Sequence, residues 1–177
     1  MPQHTLTRYK VNSLDDSINL MRQAVVLGLN DPSTRELAAC TIRGCDDRDD
    51  RCEVYAVFEF IKQHVKYVAD PRLFDTFATL ERTLTMGIGD CDDQSVATCT
   101  LLEALGFQTS FRVIQTKGSP TWNHVYALVH LPKRRPTGTF PLDHTLANPK
   151  PGIQPPVELI VKYKDFPVLT ERMIDGP

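Results

Sequence analysis

The chain has 177 residues, enough for one domain with a sizeable core, and 41% of them are hydrophobic, too many for a disordered segment. A formal charge of −2 and an isoelectric point of about 6.2 argue against nucleic-acid binding through a general basic field. No run approaches the roughly 20 apolar residues of a membrane helix, and Met1-Pro2-Gln3-His4-Thr5 lacks the charged-then-apolar layout of a signal peptide.

The first half reads as helices. Ser13-Leu14-Asp15-Asp16 opens the first with a capping box in which Asp replaces the usual Glu, and Ile18, Met21, Val25 and Leu29 follow at helical spacing. Asn30-Asp31-Pro32 ends that helix and starts a second, with Asp31 as N-cap and Pro32 at the first helical position; Leu37 and Ile42 carry it toward Gly44. A third helix begins within Asp46-Asp47-Arg48-Asp49-Asp50, whose acids suit the positive end of a helix dipole and lack the glycine and distal glutamate of a calcium loop. Its apolar face is Val54, Val57, Phe58, Ile61 and Val65, and Ala69-Asp70-Pro71 stops it. A loop of short helical character, anchored by Leu73, Phe74, Phe77, Leu80 and Leu84, leads to the turn Gly87-Ile88-Gly89. The next helix starts at Cys91, packs through Val96, Cys99, Leu102 and Leu105, and stops at Gly106.

The second half reads as strands. Phe107 to Ile114 is one, and Lys117-Gly118-Ser119-Pro120 is a turn. Trp122 to Leu131 alternates, with Val125, Ala127, Val129 and Leu131 on one face and Trp122, His124, Tyr126, Leu128 and His130 on the other. Lys133-Arg134-Arg135 reads as a solvated turn. Phe140-Pro141-Leu142-Asp143 is a short strand that its proline confines to an edge, and Val157 to Val161 suggests a late strand. Helices first and strands second imply an α+β fold: a single domain over residues 1–177, helical over about 13–106 and sheet-forming over about 107–170. Cys40, Cys45 and Cys52 show no paired CxxC spacing, so neither a zinc ribbon nor a disulfide framework is expected, and a reducing, cytoplasmic setting is.

Chemistry concentrates at Gly89-Asp90-Cys91-Asp92-Asp93-Gln94. A cysteine at a helix start faces unpaired backbone N–H groups and the positive dipole end, both of which favour thiolate. Pairing Leu131 with Pro136 across the basic turn sets His124 opposite Asp143, with Cβ atoms about 5 Å apart, and sets Val125 opposite Leu142 on the core face. Asp143 can then orient the imidazole while the other ring nitrogen faces Cys91, so that thiol and ring rest partly as thiolate and imidazolium. The flanking aspartates oppose this by raising a thiol pKa, unless Asp90 caps the helix and Asp93 is held elsewhere. Trp122, two residues before His124, is a candidate wall of the substrate cleft. A metal site built from Cys91, His124 and the aspartates is a rival use of the same residues.

At these residues the chain resembles the transglutaminase-like superfamily. Gly89-Asp90-Cys91-Asp92-Asp93-Gln94, His124-Val125-Tyr126-Ala127 and Pro141-Leu142-Asp143 carry the resemblance, with Val65-Lys66-Tyr67-Val68 and Leu80-Glu81-Arg82-Thr83-Leu84 as the lead-in. It implies a papain-like α+β core with the N-terminal helices on a small antiparallel sheet, a nucleophile at Cys91, an imidazole at His124 and an orienting carboxylate at Asp143. The implied activity is cysteine-dependent chemistry on an amide bond of a protein or peptide through a thioester, with no metal or other cofactor: a peptidase or amidohydrolase when water resolves it, a protein-glutamine acyltransferase when an amine does. Compact relatives of this kind look like those of bacterial and phage genomes. This adds the alternative of a virion-associated structural or assembly protein with a relic triad.

Overall fold

A computed structural model of the chain describes residues 13–69 and 77–169. Its helices are α1 (Leu14–Leu29), α2 (Pro32–Thr41), α3 (Asp50–His64), α4 (Leu80–Met86) and α5 (Cys91–Ala104). Its strands are β1 (Lys66–Tyr67), β2 (Ile88–Gly89), β3 (Thr109–Thr116), β4 (His124–Leu131), β5 (Gly138–Leu142) and β6 (Ile160–Pro167). The expected caps start the first three helices. Ser13 Oγ accepts the Asp16 N–H at 3.2 Å, Asp31 accepts that of Ser33 at 2.9 Å with Pro32 behind it, and Asp49 accepts that of Cys52 at 3.0 Å.

Helix α5 is the centre of the molecule. Every residue from Asp93 to Leu102 is buried, not only the apolar face that the spacing of Val96, Cys99 and Leu102 suggests. A helix can be enclosed this way when its polar side chains are satisfied locally. The hydroxyls of Ser95, Thr98 and Thr100 donate to the carbonyls of Cys91, Gln94 and Val96 at 2.6, 2.7 and 2.7 Å. Helix α1 approaches so closely that a Cβ on Gly28 would come within 2.8 Å of Thr100 Cγ2. The remaining helices and one face of the sheet complete the enclosure, with Phe58, Ile61, Phe111, Val125, Ala127 and Leu142 in one core. Each buried Val, Leu, Ile or Phe side chain among them contributes about 1.5–3 kcal/mol.

The larger sheet is antiparallel in the order β5-β4-β3-β6. Alternation along β4 behaves as expected: Val125, Ala127 and Val129 enter the main core, whereas Tyr126 and Leu128 join Ile114 in a smaller cluster on the outer face. The edge position of β5 agrees with its proline. Its register does not agree with the expectation. Leu131 pairs with Gly138 and Ala127 with Leu142, a slide of two residues. Pro136 has no N–H with which to close the hairpin, and the first available donor, Thr137, bonds to the Leu131 carbonyl at 2.9 Å. A slide of two preserves the faces, so the core assignment survives; a slide of one would have inverted it.

Other expectations are corrected. The late strand is β6, displaced from Val157–Val161, and Val157–Leu159 forms a 3-10 turn. Trp122 precedes β4 instead of lying on it. Helix α3 ends at His64, and Asp70, Pro71, Leu73 and Phe74 fall outside the described residues. The stretch Gly87-Ile88-Gly89 is a turn that also supplies β2, paired parallel to β1. Cys45 and Cys52 form a disulfide, their Cα atoms 5.6 Å apart, because the chain doubles back through Arg48 at φ 66° into the first turn of α3. That bond removes the cysteine pattern as an argument for a reducing setting. Lys133 is not merely solvated: its N–H donates to Asp50 at 2.7 Å, its ammonium pairs with Glu53, and it lies 4.2 Å from the Phe107 ring centre.

Candidate active site

Three local structures place the site. The first is the β1–β2 ladder, in which Tyr67 pairs with Gly89 and the Val68 N–H donates to the Gly89 carbonyl at 2.9 Å. It fixes the chain two residues before Cys91. Only glycine fits there, since a Cβ on Gly89 would sit 2.8 Å from Asp93 Cβ. The second is the N-terminus of α5. Asp90 Oδ1 accepts the N–H groups of Asp92 and Asp93 at 3.0 and 3.2 Å, so Asp90 is the helix cap and Cys91 the first helical residue. Asp93 is turned inward, where it accepts the Ala78 N–H at 2.9 Å. Two of the three aspartates are thus held as the sequence allows.

Asp92 is different. Cys91 Sγ donates to Asp92 Oδ1 at 3.5 Å. Burial pushes the thiol well above its ordinary range, Asp92 and Asp90 push it further, and only the Val125 backbone N–H pulls it back. The helix start therefore does not leave a resting thiolate, contrary to the expectation from the dipole. The Val125 interaction also locates the sulfur at the beginning of β4, beside His124.

The third structure is the end of the β4–β5 hairpin. His124 Nε2 lies 2.8 Å from Asp143 Oδ2. With the hairpin slid by two residues, Asp143 follows β5 diagonally across from His124 instead of directly opposite, on the same face, and the imidazole spans the diagonal. Asp143 is fully buried. Burial alone would raise its pKa, but the His124 hydrogen bond and charge and two Thr145 hydrogen bonds outweigh it and hold the carboxyl below its usual range. The Thr145 N–H and Oγ1 both reach Asp143 Oδ1, at 2.9 and 2.8 Å, leaving Oδ2 for the imidazole.

The structure thus joins His124 to Asp143 directly and sets Cys91 against the residue that follows His124. Among the described residues, the acidic group with ligand atoms within 4.8 Å of one another is Asp90, Cys91 and Asp92; His124 is not part of it, so the imagined Cys91–His124 metal site is not assembled. Trp122 packs against the main core beneath Lys162, whose ammonium is 4.7 Å from the ring centre. Two other histidines near the hairpin have partners of their own: His130 bonds Ser110 at 2.8 Å, and His144 stacks on Phe58 with ring centres 4.1 Å apart. Cys99 is fully buried and inert. Two neighbours went unnoticed in the sequence. Thr145 was readable from the Asp-x-Thr spacing, which favours a side-chain turn. Tyr67, whose hydroxyl is pushed up by burial and then by Cys91, Asp90 and Asp92, has no local signal.

A family model of the transglutaminase-like superfamily matches residues 35–136, more than half of the chain; Cys91 and His124 fall within it and Asp143 beyond it. Among solved structures, a candidate cysteine protease from Cytophaga hutchinsonii aligns over 76% of this chain and 43% of its own, with a TM-score of 0.51 and 16% identity. A candidate protease from Parabacteroides distasonis aligns over 90% of this chain and 36% of its own, with a TM-score of 0.51 and 7% identity. LapG of Legionella pneumophila aligns over 81% of this chain and 78% of its own, with a TM-score of 0.50 and 16% identity. The chain therefore spans less than half the length of the first two, and at these identities the likeness is one of fold. No curated protein matches.

Proposed function

The chain belongs to the transglutaminase-like superfamily, and on that premise we propose that it is a cysteine-dependent amide-bond enzyme, acting as a peptidase or amidohydrolase through Cys91, His124 and Asp143. The observation that carries the proposal is the His124 Nε2–Asp143 Oδ2 hydrogen bond at 2.8 Å, with the Cys91 sulfur beside the adjoining Val125 N–H. Asp143 occupies Nε2 and leaves Nδ1 for the thiol. Because the thiol rests protonated, His124 takes the S–H proton as the sulfur attacks the carbonyl carbon, and buried Asp143 stabilises the imidazolium that forms. The carbonyl electron pair moves onto oxygen, where the Cys91 N–H at the start of α5 is the available donor. Collapse breaks the C–N bond, His124 returns its proton to the leaving amine, and a thioester remains on Cys91. Water then attacks it with His124 again as base, releasing acid and free thiol.

The raised thiol pKa is the one observation that favours a second reading, a non-catalytic protein with a relic triad. One experiment separates the two. The chain is mixed with p-nitrophenyl acetate at pH 8, nitrophenolate release is followed, and the acetylated residue is mapped by mass spectrometry. The enzyme reading expects a burst stoichiometric with protein and acetyl on Cys91, lost in Cys91→Ala and slowed at least about hundredfold in His124→Ala. Absence of acetyl-Cys91, or rates unchanged by His124→Ala, overturns it in favour of the relic. Added butylamine distinguishes hydrolysis, in which acetate persists as the product, from acyl transfer, in which butylacetamide replaces it.

A further inference from the structure

The sheet has two edges, and they are finished differently. On β5 the outward Pro141 carbonyl is taken by the Gly152 N–H at 2.8 Å. On β6 the direction of each backbone group follows from the register. The His130 N–H bonds the Gln108 carbonyl at 2.9 Å, so even-numbered residues of β3 face β4; the Val168 N–H bonds the Thr109 carbonyl at 3.0 Å, so odd-numbered residues of β3 face β6. With Phe111 level with Phe166 and Val113 level with Lys164, the β6 groups turned inward are those of Phe166, Lys164 and Lys162. Those turned outward belong to Tyr163 and Asp165, and among the described residues no strand pairs with them; at Val161 the register shifts by one residue, a bulge that ends the regular ladder. Pro167 has the same outward phase, where a missing N–H costs nothing, and its carbonyl is closed off by Arg22 at 2.9 and 2.6 Å.

The side chains beside this edge are sorted by face. Val161 and Tyr163 are 59% and 61% exposed, and Val157 and Leu159 extend the apolar stripe. Val157, Val161 and Tyr163 flank a groove of about 490 Å³ that Arg112 and Gln154 also line. On the other face stand Lys162, over Trp122, and Lys164, over Phe166 and 3.8 Å from Asp15. Each ammonium lies over an aromatic ring, and the Lys164 side chain remains more than half exposed. Antiparallel self-pairing centred on Lys162, Tyr163 or Lys164 would set lysine against lysine, so a second copy is opposed by charge.

We propose that the outer edge of β6 is a docking strand for an extended peptide segment whose residues alternate between acidic and apolar. Its backbone continues the sheet through Tyr163 and Asp165. Its apolar residues cover Val161 and Tyr163, and its acids meet Lys162 and Lys164. The site is separate from Cys91 and does not depend on the enzymatic reading.

The test uses the full chain, isotopically labelled for amide NMR, titrated with the capped peptide Val-Glu-Val-Glu-Val-Glu and with its Glu-to-Lys counterpart. The docking strand requires shifts centred on Tyr163 and Asp165, binding at least about tenfold weaker for the lysine peptide, and reversal of that preference in a Lys162→Glu, Lys164→Glu double variant. Tyr163→Pro removes an outward N–H and no ladder bond, and should abolish binding while β3–β6 amides stay protected. Equal affinity for both peptides, shifts elsewhere, or no binding up to about 1 mM, where even a weak complex of about 4 kcal/mol would register, overturns the proposal. So does broadening of the β6 amides with protein concentration alone, which would make a second copy the occupant.

Discussion

Cys91 shares its turn with three aspartates, and the difference between them is one of direction. Asp90 and Asp93 spend their oxygens on backbone N–H groups, whereas Asp92 accepts from the thiol itself. Asp92 is therefore the charge that most directly holds the proton on sulfur after burial. Replacing it with Asn keeps the shape and removes the charge. Iodoacetamide labelling of Cys91 at pH 8 should then accelerate roughly three- to tenfold, since each unit of pKa is a tenfold change in thiolate. Unchanged labelling would show that burial alone sets the thiol. The capping role of Asp90 was legible because N-cap chemistry is local: an Asp before a helix start has few other uses. Tyr67 was not legible, because its approach to the thiol depends on a parallel pairing with Gly89 that no short-range pattern announces.

Elements were legible where their signals were short-range and failed where a partner decided them. The caps of α1 and α2 behaved as written. The hairpin register did not, because the expectation used Pro136 as a closing residue, and closure needs a donor that proline lacks. Since the slide is even, His124 and Asp143 still share a face, and their side chains meet along a diagonal instead of directly across the hairpin. The bounds of strand β6 are not legible because most of it is exposed, so the usual alternation of buried and polar residues is missing. The α2–α3 connection shows the same limit: the separation of seven between Cys45 and Cys52 matches no standard motif, yet the loop brings them together. Closing so short a loop restrains the unfolded chain by about 2.5 kcal/mol on the chain-entropy account. Cys45→Ser, or reduction, should lower the unfolding free energy in urea by about that amount. A loss below about 0.5 kcal/mol would mean that the bond is offset by native strain or does not form.

At the scale of the molecule, helical and sheet halves meet along α3 as well as α5. Lys133 ties the hairpin loop to Asp50 and Glu53, and His144 lays its ring on Phe58. His144 is buried with an unpartnered Nε2, and burial lowers its pKa from 6.5 to about 4, against the raising effects of the Phe58 backbone and Asp143. The unfolded chain therefore takes up this proton first. Stability is intact above pH 6.5, declines as pH falls toward 4, and flattens below it, a loss of about 3 kcal/mol from this group. Urea unfolding at pH 7 and pH 4.5 should show most of that loss in the wild type and little of it in His144→Phe, which keeps the stacking. Equal acid sensitivity in both would assign the effect to other groups.

The division of labour between the halves also has a consequence in time. Cys91, the proposed nucleophile, lies in the helical half, and His124 and Asp143 come from the sheet half, later in the chain. During synthesis Cys91 leaves the ribosome well before His124, Asp143 and Thr145 exist, so a nascent or truncated chain carries the thiol without the base that would draw off its proton. On the proposed mechanism, the order of the residues along the polypeptide delays reactivity until the β4–β5 hairpin has closed.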